Sequence, residues 1–260
     1  MFSLIFVSFL NSIIEFLPIS SGAHARLIFA ALELDYYEVF SIFSQLGIVL
    51  TLCIFYRKLI WKLFLGFFFS KEIRMFCYRA AFLCFCAASL GWIVMKTAGD
   101  LAESWEVMAF SLASLGFVMI FAEKWAGKRP NKTADMEKTT WTQNFYIGAL
   151  QSLSSIPGVS RSGSSVLGGL MGNLDKKTAV EYSFFVCIPI SVFSCIFNIF
   201  KYRRAVESSS LSLIAGIFLL NFIFSLFFIK KVLKFFVEAD LKFFGCYRII
   251  IALLILRVLM

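Results

Sequence analysis

The chain has 260 residues, 60% of them hydrophobic, with 33 Phe, a formal net charge of +9 and a mean hydropathy of +0.85. A soluble domain of this length is less apolar, so the expected class is an all-α polytopic membrane protein forming a single integral-membrane domain, 1–260. The basic residues sit mostly in short loops between apolar runs, where they set topology and meet membrane lipid headgroups, which argues against nucleic acid as a partner.

The first apolar run, Phe2 to Leu17, is interrupted by Asn11, Ser12 and Glu15 and stopped by Pro18. It lacks a basic leading region and a small-residue cleavage site, so it does not read as an ordinary signal peptide. Ser20-Ser21-Gly22 follow, and a shorter helical piece runs from about Ala23 to Leu34. Three cleaner spans come next: Val39 to Tyr56, Phe76 to Met95, and about Trp105 to Phe121. Leu59 to Phe69 is too short to span and carries Trp61 and Lys62, so an interfacial helix is expected. The longest polar stretch, Glu123 to Thr142, reads as a loop. The pattern then restarts. Asn144 to Ile156 is a short apolar run holding Gln151, Pro157 stops it, and a second piece runs to about Met171. Val180 to Phe200, Leu211 to Ile229 and Phe243 onward are the last spans. Seven scattered Cys without a CxxC pair read as buried apolar residues, and a single His excludes a multi-histidine metal centre.

The order is thus a broken segment plus three spans, twice, in halves of about 1–125 and about 141–260. Leu17-Pro18 parallels Ile156-Pro157, Ser21-Gly22 parallels Ser162-Gly163 with a small gap, and Glu38 parallels Glu181. If each broken segment enters and leaves by one face, the three spans between them put the second on the opposite face. That is an inverted repeat: six full transmembrane helices plus two re-entrant helix pairs. Counting each broken segment as one crossing gives eight spans and leaves the breaks without a reason. The basic loops Arg57 to Arg74 and Glu123 to Thr142, with Lys176, Lys177, Lys230, Lys231 and Lys234, fall inside on this topology, and both termini fall outside. The loop from Lys96 to Glu106, with Asp100 and Glu103, suits the outside; Lys201, Arg203 and Arg204 run against the rule.

The chemistry is concentrated in the two breaks. Glu15 to His24 gathers a carboxylate, the hydroxyls of Ser20 and Ser21 and the lone imidazole. Ile156 to Gly172 carries Ser160, Arg161, Ser162, Ser164 and Ser165 at the start of a helix, where exposed N–H groups and the helix dipole favour an anion. Arg161 is a permanent charge at membrane depth and can grip phosphate oxygens in a fork. Together the breaks suggest a phosphate site, with a hard divalent cation bridging carboxylate and phosphate. Plainer roles exist: Glu15 as a structural partner of Arg161, Ser20 or Ser21 as a helix cap, His24 bonding a carbonyl, and Gln45 satisfying backbone groups at the breaks.

Glu-Phe-Leu-Pro-Ile-Ser-Ser-x-x-His at 15–24, Gln-Leu-Gly at 45–47 and Pro-Gly-Val-Ser-Arg-Ser-Gly at 157–163 closely resemble the undecaprenyl-diphosphate phosphatase family of bacteria, also called the bacitracin-resistance protein family. The likeness extends to Gly168-Gly169-Leu170-Met171-Gly172, to Glu181, Phe184 and Pro189, and to Tyr247-Arg248-Ile249. It implies six spans with two re-entrant pairs in the bacterial inner membrane. It also implies removal of the terminal phosphate of undecaprenyl diphosphate at the outer face, with Mg²⁺ or Ca²⁺, recycling the lipid carrier of cell-wall synthesis. By motif position, Glu15 binds metal or does acid–base chemistry, Ser21 is the candidate nucleophile with Ser20 beside it, and His24 is an acid, a base or a competing nucleophile. Arg161 neutralises the diphosphate, supported by Ser160, Ser162 and Ser165, and Gln45 joins the substrate-binding set.

Three positions depart from that pattern. Asn11 stands where the family has a second Glu, four residues before Glu15, so one metal ligand becomes an uncharged amide. Gly22-Ala23 replace a Thr-Gly, and Ser165 replaces a Thr while keeping the hydroxyl. The implied partners are a polyprenyl diphosphate lipid and the bilayer; homodimer formation is left open. A polyprenyl-phosphate flippase competes, because inverted repeats of broken helices are transporter architecture. A phosphatase homologue with reduced activity competes through Asn11.

Overall fold

The computed structural model describes residues 2–98, 104–130 and 132–259. Asp100 and Glu103 of the expected outside loop therefore lie outside the described residues. The described residues are helical almost throughout, with no strand beyond an isolated bridge between Thr133 and Leu174.

In chain order the helices are α1 (Phe2–Ile14), α2 (Ser21–Ala31), α3 (Tyr37–Phe55), α4 (Arg57–Phe69), α5 (Lys71–Ala98) and α6 (Trp105–Gly127). Then come α7 (Trp141–Ser152), α8 (Arg161–Met171), α9 (Lys176–Lys201), α10 (Arg203–Ser208), α11 (Leu211–Glu238) and α12 (Leu241–Leu259). The expected interfacial piece is α4, two residues longer at its start. The short α10, in the basic stretch that runs against the charge rule, had no counterpart in the sequence reading. The spans α5 and α11 extend beyond their apolar stretches into turns that carry Lys and Arg, residues able to lay an apolar stem along a helix end.

Five helices are long and apolar enough to cross a membrane: α3, α5 to Thr97, α6, α9 and α11. The chain is a multi-pass membrane protein. α12 matches α3 in length at 19 residues but carries Lys242, Arg248 and Arg257. α1, α2, α7 and α8 have 13, 11, 12 and 11 residues. At 1.5 Å per residue each is well short of the roughly 30 Å hydrocarbon core.

Packing pairs the two halves. α6 lies along α12, α3 along α9, α5 against α7 and α1 against α11. The α6–α12 approach depends on two glycines facing each other. A Cβ on Gly116 would stand 2.8 Å from the Gly245 carbonyl oxygen, and one on Gly245 would stand 2.5 Å from that of Gly116. Phe85, Phe110, Phe193 and Phe227 lie exposed on the outer faces of α5, α6, α9 and α11, as a lipid-facing surface requires.

Buried polar groups between helices are mostly satisfied. Asn11 on α1 donates to Asn221 Oδ1 on α11 at 3.0 Å, and Asn221 in turn donates to the Ser8 hydroxyl at 3.1 Å. This amide clasp ties the first half-helix to the eleventh helix.

Candidate active site

The first break begins where α1 ends. Glu15 still donates its N–H to the Asn11 carbonyl at 2.9 Å, but Phe16 and Leu17 bond back only three residues, a tightened last turn before Pro18. Ser20 then takes φ 71° and caps α2, its hydroxyl accepting from the Ala23 N–H at 3.4 Å. The second break follows the same plan. α7 ends at Ser152, a 3-10 turn covers Leu153–Ser155, Gly158 takes φ +90°, and Ser160 caps α8 by accepting from the Gly163 N–H at 3.2 Å. A Cβ at Gly158 would run into the Met108 carbonyl, so both its backbone angle and its surroundings require glycine.

The two breaks meet. Ser162 Oγ donates to the Leu17 carbonyl at 3.2 Å, and a Cβ on Gly163 would lie 3.3 Å from that of Pro18. Arg161 Nη2, from the second break, donates to Glu15 Oε1, from the first, at 2.6 Å. Its Nη1 reaches Ser191 Oγ on α9 at 3.3 Å, and Ser191 lies 3.2 Å from the Cys187 sulfur. This pair is a charge-assisted contact in a part-buried setting, with Arg161 25% and Glu15 13% exposed.

A small cavity of about 20 Å³, room for roughly one water molecule, lies around the pair. Its polar lining comes from Glu15, Gln45, Gln151, Arg161, Ser162, Ser165, Ser183 and Ser191, and Phe16, Ile48, Val49, Leu52 and Phe184 supply apolar wall. Ser165 donates to Gln151 Oε1 at 2.6 Å. Gln45 is 7% exposed and its Nε2 has no hydrogen-bond partner among the described residues. A buried amide donor left unpaired costs roughly 1–3 kcal/mol. Here it faces a cavity that already holds a guanidinium, which is the arrangement expected for an incoming anion.

The remaining expected site residues lie elsewhere. Ser160 is a cap, bonded also to Ser162 Oγ at 3.2 Å. Ser21 is the first residue of α2, and its hydroxyl has no hydrogen bond to the described residues. Ser20, Ser21 and His24 do not line the cavity. His24 is buried, with Nδ1 2.8 Å from the Ser20 carbonyl, Nε2 2.8 Å from the Tyr247 hydroxyl and its ring stacked on Tyr247. Asn11 bonds Asn221 and is not part of the cavity lining. The sequence reading did not single out Ser183, Cys187 and Ser191, which line the cavity from α9. Their spacing of four residues in an apolar helix puts them on one face, a legible signal.

The donor set does not fit a resident divalent cation. Glu15 is the one carboxylate lining the cavity, one of its oxygens already accepts from Arg161, and the described residues hold no group of three His, Cys, Asp or Glu able to take a metal.

A cavity charged by an arginine and lined from both breaks and from α3 and α9, in a chain with five helices long and apolar enough to cross a membrane, fits a multi-pass membrane protein that takes an anionic ligand. Residues 4–254 match the family described as "BacA: Bacitracin resistance protein BacA", and the chain belongs to that family. Among similar curated proteins, Undecaprenyl-diphosphatase 3 of Acinetobacter baylyi is 31% identical over 264 residues, spanning 100% of this chain and 98% of the relative. Undecaprenyl-diphosphatase 2 of Pseudomonas fluorescens is 31% identical, spanning 98% of this chain and 92% of the relative. An undecaprenyl-diphosphatase of Acinetobacter baumannii is 32% identical, spanning 97% of this chain and 93% of the relative.

Proposed function

We propose that this chain hydrolyses undecaprenyl diphosphate to undecaprenyl phosphate and inorganic phosphate, as the names of its relatives indicate for those proteins. The single observation that carries the reading is the meeting of Arg161 and Glu15 across the two breaks, beside the unpaired Gln45 amide. When the diphosphate enters, Arg161 exchanges part of its hold on Glu15 for phosphate oxygens, and Gln45 Nε2 donates a further hydrogen bond. Charge neutralisation and positioning are most of what phosphoryl transfer needs. Attack at the terminal phosphorus forms a new bond, P–O from Ser21 or water and P–N from His24, while the bond to the bridging oxygen breaks, and undecaprenyl phosphate leaves. Ser21, His24 and water are the candidate attacking groups. Glu15, freed from Arg161, and His24 are the groups able to accept the proton. If Ser21 or His24 attacks, water hydrolyses the phosphoserine or phosphohistidine in a second step, releasing inorganic phosphate.

Mg²⁺ or Ca²⁺, if required, would find Glu15 as the one carboxylate in the cavity lining and would supply charge neutralisation there, so that metal dependence would be weak. The two halves, about 1–125 and about 141–260, are proposed to form one inverted repeat whose site opens to the outer face of the bacterial inner membrane. The short half-helices of α1–α2 and α7–α8 support re-entrant pairs.

The test is phosphate release from a short-chain prenyl diphosphate by the purified chain in detergent. Release that disappears in Arg161→Ala and Ser21→Ala supports the phosphatase. Tight binding without release would indicate a lipid-phosphate carrier instead.

A further inference from the structure

Arg248, on α12, is the largest fully buried side chain in the described protein, with 0% exposure. Among the described residues it forms no ion pair. All its partners are main-chain carbonyls: Leu112 of α6 at 3.2 Å from Nε, Pro18 at 3.0 Å from Nη1, and Gly158 at 2.8 Å from Nη2. Burying a guanidinium is costly, and hydrogen bonds to neutral carbonyls repay only part of that cost. The arrangement therefore calls for a role.

Counted back from the helix caps, the two fork partners hold equivalent positions. Pro18 lies two residues before Ser20, the cap of α2, and Gly158 lies two residues before Ser160, the cap of α8. The first residues of those helices are Ser21 and Arg161. One planar fork thus spans both breaks at the same register, one turn away from the candidate nucleophile on one side and the diphosphate-binding cation on the other. The guanidinium is rigid, so the separation of its two Nη atoms sets the separation of the two carbonyls. Next along α12, the Tyr247 hydroxyl holds His24 Nε2 at 2.8 Å. The seat of α12 is itself fixed by the Gly116–Gly245 approach, and a Cβ on Gly116 would also lie 3.1 Å from Arg248 Cβ.

We propose that Arg248 is a positioning residue which sets the geometry between the two half-sites, with Tyr247 orienting His24 from the same turn of α12. The inference rests on the phosphatase reading. It assigns α12 a role in the chemistry although neither residue lines the cavity.

The experiment uses the full chain in detergent and two readouts. One is kcat and KM for phosphate release from a short-chain prenyl diphosphate. The other is the stoichiometry and Kd of a methylene-bridged prenyl diphosphate, so that kcat is counted per analogue-binding molecule. Arg248→Lys keeps the charge and loses the fork. Its kcat is expected to fall about 10²-fold, the effect of a displacement near 1 Å at a reacting centre. Analogue Kd should stay within about threefold, because Arg161 and Gln45 remain in place. A purely structural role would lower the number of binding molecules and leave kcat per binding molecule unchanged, and that result overturns the proposal. Tyr247→Phe keeps the stacked ring, loses one hydroxyl and decides the matter if Arg248→Lys yields no analogue-binding protein. Its kcat is expected to fall about tenfold with an altered pH profile. Wild-type kcat and an unaltered profile in Tyr247→Phe overturn the proposal. A wild-type chain that binds the analogue but releases no phosphate contradicts the phosphatase reading, and this inference falls with it.

Discussion

Replacing Arg161 by Ala separates what that residue does for folding from what it does for chemistry. The change removes the 2.6 Å bond to Glu15 and the 3.3 Å bond to Ser191. It leaves a carboxylate that is 13% exposed without a counter-charge. Removing one partner of a fully buried pair costs 3–5 kcal/mol; the partial exposure of this pair brings that to about 2–3 kcal/mol. For a chain of this size that is a drop in Tm of about 4–12 °C. Adding Glu15→Gln removes the stranded charge, so the double variant should recover most of the lost Tm. Activity should behave differently. Loss of the cation that neutralises the diphosphate should lower kcat about 10³-fold or more, and the double variant should stay inactive. The assays are a thermal melt in detergent and phosphate release from a prenyl diphosphate, for wild type, both single variants and the double. Arg161→Ala retaining more than about a tenth of wild-type kcat would falsify the role given to it. A double variant that regains activity together with stability would show that the pair matters only for folding.

Gln45→Leu should raise KM about tenfold while leaving Tm unchanged or higher, since a buried unpaired donor disappears with the amide; unchanged KM would remove Gln45 from the binding set. Gly158→Ala should cost about 1–3 kcal/mol in a detergent melt, because φ +90° and the nearby Met108 carbonyl both oppose a side chain; a neutral substitution would mean that the second break relaxes freely. Mg²⁺ titration of the wild type should show weak saturation, and Asn11→Glu should tighten it about tenfold by supplying a second carboxylate one turn from Glu15. No gain from the Glu would show that a carboxylate at position 11 does not reach a cation beside Glu15. Asn221→Ala should lower stability by about 1–2 kcal/mol by leaving Asn11 and Ser8 without their partner, and an unchanged Tm would show that the clasp is dispensable.

The breaks were legible because Pro and Gly act locally. Pro18 and Pro157 bar the helices from running on, although α1 stops at Ile14 and α7 at Ser152, and Ser20 and Ser160 cap the next ones by bonds three residues long. The pairing of Arg161 with Glu15 was legible for a related reason, since charges at membrane depth need partners and few were on offer. Asn11 shows the limit. Spacing of four residues puts Asn11 one turn from Glu15, and its carbonyl does accept the Glu15 N–H. Its side chain meets Asn221, whose nearness depends on how α11 packs, and no spacing rule contains that. Arg248 is a stronger case. In sequence it is a basic residue in the last apolar run, noticed only through family resemblance. Its three partners are carbonyls separated from it by 90 to 230 residues. Main-chain atoms carry no sequence signature, so only the packed structure reveals the fork. The pairing of Gly116 with Gly245 was hidden for the same reason.

The central claim is that the two breaks form one site at which the terminal phosphate of undecaprenyl diphosphate is hydrolysed. The most direct measurement incubates the purified full-length chain with undecaprenyl diphosphate in ¹⁸O-enriched water and follows both products. The account predicts inorganic phosphate carrying ¹⁸O, undecaprenyl phosphate without it, and no turnover in Arg161→Ala. Lipid that binds yet emerges as intact diphosphate, or ¹⁸O found in the lipid product, would contradict it.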